Sequence, residues 1–187
     1  MTAPVEAAPR VAPGARADVG LVNWLFARAS GLVTGTNPPN LFLTLGRHRR
    51  LFRGWLRFAG HLMPGGRIDR RTTELVILRV AHLSGCEYEL EHHRHLARRA
   101  RITEDEVERV LTDPTAAAWT PRERAVLAAV DELHATGDLA DGTWSAVRAH
   151  LDEAQAIELT LLVGHYQMLA TTIRTLRIAT DQPRRRG

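Results

Sequence analysis

The 187-residue sequence contains a single cysteine, Cys86, and no lysine, so arginine supplies all 25 of its basic side chains. A lone cysteine excludes an intramolecular disulfide and leaves Cys86 as a packed thiol, a nucleophile or one half of a bond to another molecule. No apolar run approaches the length of a membrane-spanning helix, so we expect no membrane partner.

Length and composition predict one ordinary globular domain. Hydrophobic residues make up 44% of the chain and charged residues 25%, and a chain of this length builds one sizeable core. The net charge of +4 lies partly in the terminal RRRG. We interpret residues 182–187 as a solvated basic tail and expect no nucleic-acid partner.

The N-terminal segment is rich in alanine and proline and has no continuous apolar stretch. This composition argues against a secretory signal and predicts a disordered leader over residues 1–17. We therefore expect a cytoplasmic protein whose ordered part, residues 18–181, is one helical domain.

Apolar residues recur at helical spacing along the rest of the chain, which carries no β-hairpin signal and no repeat. The first helices are predicted over VGLVNWLFARASGLV and from about Asn40 to about Met63. Asp69 is a candidate N-cap of a buried helix that ends near Leu83, and Gly85 then suits a left-handed turn. The expected architecture is an all-α, single-domain bundle of seven or eight helices.

Helix-capping patterns organise the second half of the chain. Thr103 with Glu106, and Thr120 with Glu123, form capping boxes that open two helices. Asp152 is the expected cap of a long last helix, which follows a short helix over DGTWSAVRAHL.

The stretch SGCEYELEHHRH, residues 84–95, places reactive side chains beside the predicted turn. Cys86 would be the first or second residue of a new helix, on one face with Glu89, Leu90 and His93. Burial would favour the unreactive thiol, whereas a helix N-terminus and a protonated histidine would favour the thiolate. Glu89 and His93 could share a proton and perform acid–base catalysis.

Two other interpretations of this stretch stay open. In the first, Cys86 is a small core residue and the solvated helix face consists of Glu87, Glu91, His92 and His95. In the second, Glu89 and His92 have the i, i+3 spacing of helical carboxylate metal sites, with His165 as a ligand from another helix. A full di-iron site needs two such motifs and only one is present, so we expect no metal.

His165 and Tyr166 are polar residues inside the apolar stretch LLVGHYQML, beside Gly164, which permits the close approach of a neighbouring helix or ligand. They either satisfy hydrogen bonds in the core or line a pocket. With Tyr88 they are the predicted substrate-binding side chains.

Three stretches carry a family resemblance: RTTELVILRVAHLSGCEYELEHHRHLARRARITEDEVERV, WTPRERAVLAAVDEL and IELTLLVGHYQMLATTIRTL. They resemble the carboxymuconolactone decarboxylase family, whose relatives include the alkyl hydroperoxide reductase D-like peroxidases. The resemblance covers about residues 39–181. It implies an all-α fold built around a helical hairpin and a homo-oligomer, usually a trimer or hexamer, with the active site near a subunit interface.

The peroxidase branch of that family carries the motif Cys-x-x-Cys-x-x-x-His, preceded by a glutamate that takes part in a proton relay. Cys86, Glu89 and His93 stand at the three motif positions, and Glu74 matches the upstream glutamate. Because Glu89 replaces the cysteine that attacks peroxide in the family, the resemblance does not imply a disulfide peroxidase cycle here.

The resulting functional prediction is cofactor-free acid–base chemistry, a decarboxylation or related isomerisation, on a small carboxylated or cyclic substrate. The predicted catalytic residues are Glu74, Cys86, Glu89 and His93. Candidate anchors for a substrate carboxylate are Arg71, Arg79 and Arg94. The alternatives are a one-cysteine thiol peroxidase that uses Cys86 and a helical binding or assembly module without turnover.

Overall fold

The structure is a computed structural model that describes residues 8–184, and this part of the chain forms ten helices and no strand. The helices are α1 (Arg16–Val19), α2 (Leu21–Thr34), α3 (Asn40–Leu45), α4 (Arg49–Leu62), α5 (Arg70–Leu83), α6 (Glu87–Arg99), α7 (Glu104–Thr112), α8 (Pro121–Thr136), α9 (Asp141–Arg148) and α10 (Glu153–Leu176). The predicted all-α class is confirmed, with more helices than the seven or eight expected. No helix within residues 8–184 is both long and apolar enough to cross a membrane.

The described chain divides into two compact units, and the single domain over residues 18–181 stays a prediction. The first unit holds the described residues up to Leu56 and from Thr171, and the second is Arg57–Ala170. Part of the predicted leader belongs to the first unit, because the Gly14 N–H donates to the Leu43 carbonyl at 3.0 Å and α1 begins at Arg16. Residues 1–7 and 185–187, which include the last three residues of the predicted basic tail, lie outside the described residues.

The first unit corrects the prediction of one helix from about Asn40 to about Met63, because α3 and α4 are separate. The chain turns at Gly46, where a Cβ would lie 2.7 Å from the Phe42 carbonyl oxygen and 3.1 Å from the Val19 side chain. His48 then accepts the Leu51 N–H on Nδ1 at 3.3 Å and caps the start of α4. The break depends on packing against Val19, which helical periodicity does not reveal.

Helix α2 buries small residues and exposes large apolar ones. Its buried residues are Asn23, Ala27 and Gly31. Its exposed apolar residues, between 41% and 69% exposed, are Leu21, Val22, Leu25, Phe26, Leu32 and Val33. We call these six residues the α2 apolar face.

In the second unit, α5 is the central helix and packs against α6, α7 and α8. Asp69 caps its start as predicted, since its side chain accepts the Thr72 N–H. Every residue from position 72 to position 81 is buried, among them the polar residues Glu74 and Arg79. A polar side chain in this position must find its partners inside the protein.

A tight turn joins α5 to α6, and glycine is required in it. Gly85 has φ +58°, the left-handed conformation predicted for it. The Gly85 N–H donates to the His82 carbonyl and the Cys86 N–H to the Ala81 carbonyl, both at 2.9 Å, which is a Schellman motif. Cys86 is the N-cap of α6, one position before the helical residue expected. The turn lays α6 back along α5.

Both predicted capping boxes are confirmed. The side chain of Thr103 accepts the Glu106 N–H and that of Thr120 accepts the Glu123 N–H, while each glutamate accepts the N–H of its threonine. Arg71 of α5 also donates to both glutamates, which the sequence did not predict. One arginine therefore ties α5 to the starts of α7 and α8.

Candidate active site

The centre of the second unit contains a histidine between two carboxylates. His93 Nδ1 lies 2.7 Å from Glu74 Oε2, and His93 Nε2 lies 3.3 Å from Glu89 Oε2. The side chains of His93 and Glu89 are 4% exposed and that of Glu74 is 0% exposed. The structure thus brings together three of the four predicted catalytic side chains in one buried cluster, which we call the Glu74–His93–Glu89 triad.

Local sequence and the turn at Gly85 together build this triad. Glu89 and His93 are four residues apart on α6, so they share one face of the helix. Glu74 lies on α5, and the Schellman turn brings α6 alongside it. Three residues from two sequence segments therefore meet because one glycine turn fixes the helical hairpin.

The triad gives His93 an unusual protonation behaviour. Burial alone would lower the pKa of His93, but the charge and hydrogen bond of Glu74, and then those of Glu89, raise it to about 9. His93 is therefore an imidazolium at neutral pH. An acid that holds its proton at neutral pH beside two carboxylates is suited to proton transfer.

His92, the neighbouring residue, behaves in the opposite way. Its ring meets the His93 ring edge to face with centroids 5.4 Å apart. Burial and the charge of His93 lower the pKa of His92 to about 4, so its imidazole is neutral. Within residues 8–184 no group of three or more His, Cys, Asp or Glu side chains has a geometry that could hold a metal ion.

Helix α10 supplies two of the predicted substrate-binding residues. The Tyr166 ring meets the His93 ring edge to face at 5.3 Å and 85°, and His165 contacts Tyr166 with ring centroids 5.2 Å apart. Burial, with the charges of Glu89 and Glu74, raises the pKa of Tyr166 well above its usual value. Burial lowers the pKa of His165 to about 4. Both side chains are therefore neutral beside the triad.

The remaining predicted site residues are also buried. Cys86 is 2% exposed and lies one turn before Glu89, and Tyr88 is 6% exposed. His165 and Tyr166 are 5% and 6% exposed. The predicted site is thus an interior cluster.

The structure gives the predicted carboxylate anchors other partners. Arg71 binds Glu106 and Glu123, and Arg94 binds the exposed Glu108. Arg79 pairs with Asp131 and donates to two backbone carbonyls. Their guanidinium groups hold helices together, which proximity in sequence could not show.

Arg70 is the residue that sequence reasoning missed. Its Nη2 lies 2.6 Å from Glu74 Oε1, and its side chain is 40% exposed. The i, i+4 spacing of Arg70 and Glu74 was a usable signal, because such pairs share a helix face. It was obscured by the many other arginines nearby.

Part of the chain is similar to known proteins. Residues 49–132 match the carboxymuconolactone decarboxylase family. The chain is 29% identical over 99 residues to the uncharacterized protein YdfG of Bacillus subtilis (strain 168), covering 52% of this chain and 67% of that protein. Less than half of the chain, residues 49–132, is therefore similar to this family.

Solved structures share the fold. The AhpD core of a peroxidase-related protein from Ralstonia eutropha JMP134 superposes with a TM-score of 0.80 at 18% identity, covering 93% of this chain and 94% of that one. The debrominase Bmp8, with a cysteine-to-alanine substitution and 2,3,4-tribromopyrrole bound, gives a TM-score of 0.77 at 19% identity and covers 90% of each chain. These two solved structures and this chain therefore share one fold.

Proposed function

We propose that the Glu74–His93–Glu89 triad performs cofactor-free acid–base chemistry, a decarboxylation or related isomerisation, on a small carboxylated or cyclic organic substrate. The observation that carries this proposal is His93 held as a buried imidazolium between two carboxylates, with its pKa raised to about 9. The match of residues 49–132 to the carboxymuconolactone decarboxylase family supports it.

The two nitrogens of His93 have different roles in this proposal. The shorter contact, 2.7 Å from Nδ1 to Glu74, fixes the orientation of the ring. The longer contact, 3.3 Å from Nε2 to Glu89, leaves Nε2–H as the proton that is given away. Glu89 lies on that side and returns a proton to Nε2 after turnover.

The reaction balances with one proton. When the substrate carboxylate leaves as CO2, the electron pair of the broken carbon–carbon bond stays on the substrate carbon or its conjugated system. His93 Nε2–H protonates that carbon, and a proton from solvent then restores the imidazolium through Glu89. The electrostatic stabilisation of the developing negative charge comes from the imidazolium itself.

Tyr88, His165 and Tyr166 are the proposed substrate-binding side chains. The neutral rings of His165 and Tyr166 contact each other, and Tyr166 contacts His93. Aromatic rings favour flat cyclic ligands. The tribromopyrrole bound by the debrominase of the same fold supports a small ring compound as the substrate class.

The test is an assay of CO2 release and of double-bond migration over a panel of small lactone acids and unsaturated cyclic acids. His93→Gln should lower the rate about 100-fold or more, because it removes the proton donor. The matched control is His95→Gln, since His95 lies on the same helix and interacts with Arg98. Turnover by His93→Gln at the wild-type rate would contradict the assignment.

A one-cysteine thiol peroxidase is the second candidate. The observation that favours it is Cys86 at the N-cap of α6, where the helix dipole stabilises a thiolate. The thiolate sulfur would attack the peroxide, giving a sulfenic acid and an alcohol, and two outside thiols would reduce the sulfenic acid to the thiol with loss of water.

The burial of Cys86, 2% exposed, weighs against this second candidate. Alkylation of Cys86 as a function of pH, with mass spectrometry for sulfenic acid after a hydroperoxide is added, decides between the two. Rapid alkylation below neutral pH and a sulfenic acid product would favour the peroxidase, whereas an inert Cys86 would favour the acid–base enzyme.

We also propose a cytoplasmic homo-oligomer in which α2 contacts a second copy of the chain. With about 200 Å² for a large side chain, the α2 apolar face exposes roughly 600 Å², and a symmetric pair would bury about twice that, above the roughly 1,000 Å² of a specific interface. Arg28 is also exposed on this helix, but apolar patches of this size usually mark interfaces. These features support an isologous contact with an identical face.

Light scattering after size-exclusion chromatography tests this contact. Leu25→Glu should lower the molar mass by placing a charge in the α2 apolar face. Leu51→Glu, at an apolar residue on α4 that is 64% exposed, is the control and should leave the mass unchanged. A monomeric wild-type protein at micromolar concentration would contradict the proposal.

A further inference from the structure

Four charged side chains form a row that runs from the surface of the second unit into its interior. Arg70 lies 2.6 Å from Glu74 Oε1, Glu74 Oε2 lies 2.7 Å from His93, and His93 lies 3.3 Å from Glu89. The signs alternate along the row. Arg70 is 40% exposed at its outer end and the other three side chains are buried.

The row is neutral only when Arg70 is counted. Glu74 and Glu89 carry two negative charges and the protonated His93 carries one positive charge. The rings of His92 and Tyr166 contact His93, and both are uncharged at neutral pH. Without Arg70 the interior would hold an uncompensated negative charge, which is strongly unfavourable.

We propose that Arg70 is a positioning residue that keeps Glu74 and Glu89 both ionised, so that the mobile proton of the row stays on His93. If Arg70 is replaced by a neutral residue, the row takes up one proton from solvent at neutral pH and a glutamate becomes a carboxylic acid. The link to turnover rests on the proposed acid–base function, but the charge balance does not.

Loss of Arg70 would also change the pH profile of turnover. A protonated Glu74 no longer accepts the His93 Nδ1–H in the same geometry, so the His93 ring loses the contact that orients it. Raising the pH removes the extra proton. The activity of Arg70→Gln should therefore fall about tenfold or more at neutral pH and recover part of that loss at higher pH.

The direct test is infrared difference spectroscopy of the carboxylic acid C=O stretch at neutral pH, with labelling of glutamate carboxyl carbon to assign the band. Wild type should show no such band from this site, Arg70→Gln should show one, and Arg70→Lys should suppress it because lysine restores the charge. Arg98→Gln is the matched control, since the Arg98 side chain is 55% exposed and pairs with the exposed Glu104. No new band in folded Arg70→Gln would overturn the proposal.

A double variant keeps the proposal testable if Arg70→Gln folds poorly. In Arg70→Gln with Glu89→Gln, the row holds only Glu74 and His93 as charged groups and is neutral again. This variant should show no carboxylic acid band. Arg70→Gln alone should lower the denaturation midpoint, and the double variant should recover about half or more of that loss. A double variant less stable than both single variants would contradict the charge balance.

These measurements test the role of Arg70 independently of the proposed acid–base function, because neither infrared spectroscopy nor denaturation needs a substrate. A carboxylic acid band in Arg70→Gln supports the role of Arg70 even when the substrate panel gives no product. Turnover of the panel with no band in Arg70→Gln supports the acid–base function and overturns the role of Arg70.

Discussion

Two neighbouring arginines at the start of α5 enter two different charge networks. Arg70 leads inward to the Glu74–His93–Glu89 triad, while Arg71 binds Glu106 and Glu123 at the starts of α7 and α8. Both networks join helices by short contacts, 2.7 Å between Glu74 and His93 and 2.6 Å between Arg71 and Glu106. Ion pairing alone therefore does not distinguish a reactive site from a structural one.

The difference lies in burial and in the titratable group at the centre. The Glu106 and Glu123 side chains are 22% and 11% exposed and are fixed by the capping boxes of their own helices. Their network contains no group that titrates near neutral pH. The network of Arg70, Glu74, His93 and Glu89 is buried except for Arg70. It has a histidine at its centre, so a proton can move between its side chains.

Matched glutamate substitutions should separate the two networks most strongly. Glu74→Gln should lower turnover about 10- to 100-fold, because His93 loses the carboxylate that orients it. Glu123→Gln should leave turnover within about twofold, since Glu123 serves a helix start. Steady-state rates on the best substrate of the panel give the answer. Equal losses in both variants would show that the two networks do not differ in function.

Replacing Arg71 should affect stability and leave turnover unchanged. Arg71→Gln removes bonds to two helix starts while its side chain is 31% exposed, so we expect a loss of about 1–2 kcal/mol in the free energy of unfolding. Urea denaturation measures this loss, with Arg98→Gln as a surface control. A loss in Arg71→Gln no larger than in the control would contradict the structural role of Arg71.

The pH dependence of stability should show the inward network on the basic side. The pKa of His93 is raised from 6.5 to about 9 by folding, with Glu74 as the main source of the increase. Its contribution is fully present below pH 6.5 and is lost as the pH rises through about 9. The stability difference between wild type and His93→Gln should therefore shrink over that window. A difference that stays constant up to pH 9 would contradict the raised pKa.

The stability contributed by the network of Arg71, Glu106 and Glu123 should change on the acidic side, and this effect should be the smallest. The hydrogen bond from Arg71 is the main cause that lowers the pKa of Glu106 from 4.5 to about 2. The resulting stability is present above pH 4.5 and is lost as the pH falls toward 2. Because Glu106 is partly exposed, we expect about 1 kcal/mol or less. Acid denaturation of wild type and Glu106→Gln should converge over this window.

Local signals in the sequence predicted much of the fold. Capping boxes, the Asp69 cap and the left-handed Gly85 depend on neighbouring residues, so a single sequence reveals them. The break between α3 and α4 could not be predicted, because it depends on the approach of Gly46 to Val19, which is distant in sequence. Contacts between distant segments are where sequence patterns carry least information.

The same distinction applies to the site. Glu89 and His93 follow from i, i+4 spacing, and Glu74 came from the family resemblance. Arg71, Arg79 and Arg94 pair with residues of other helices, which proximity in sequence does not reveal. The proposed role of Arg70 depends on the burial of Glu74. The catalytic and binding roles of the site residues remain predictions.

The most direct test of the account is an NMR titration of His93 with 15N-labelled histidine, in wild type and in Glu74→Gln. We expect both ring nitrogens of His93 to be protonated at pH 7, with a titration midpoint near 9 in wild type and a lower midpoint in the variant. A neutral His93 ring at pH 7 in the wild-type protein would contradict the central claim that the buried triad holds a proton for transfer.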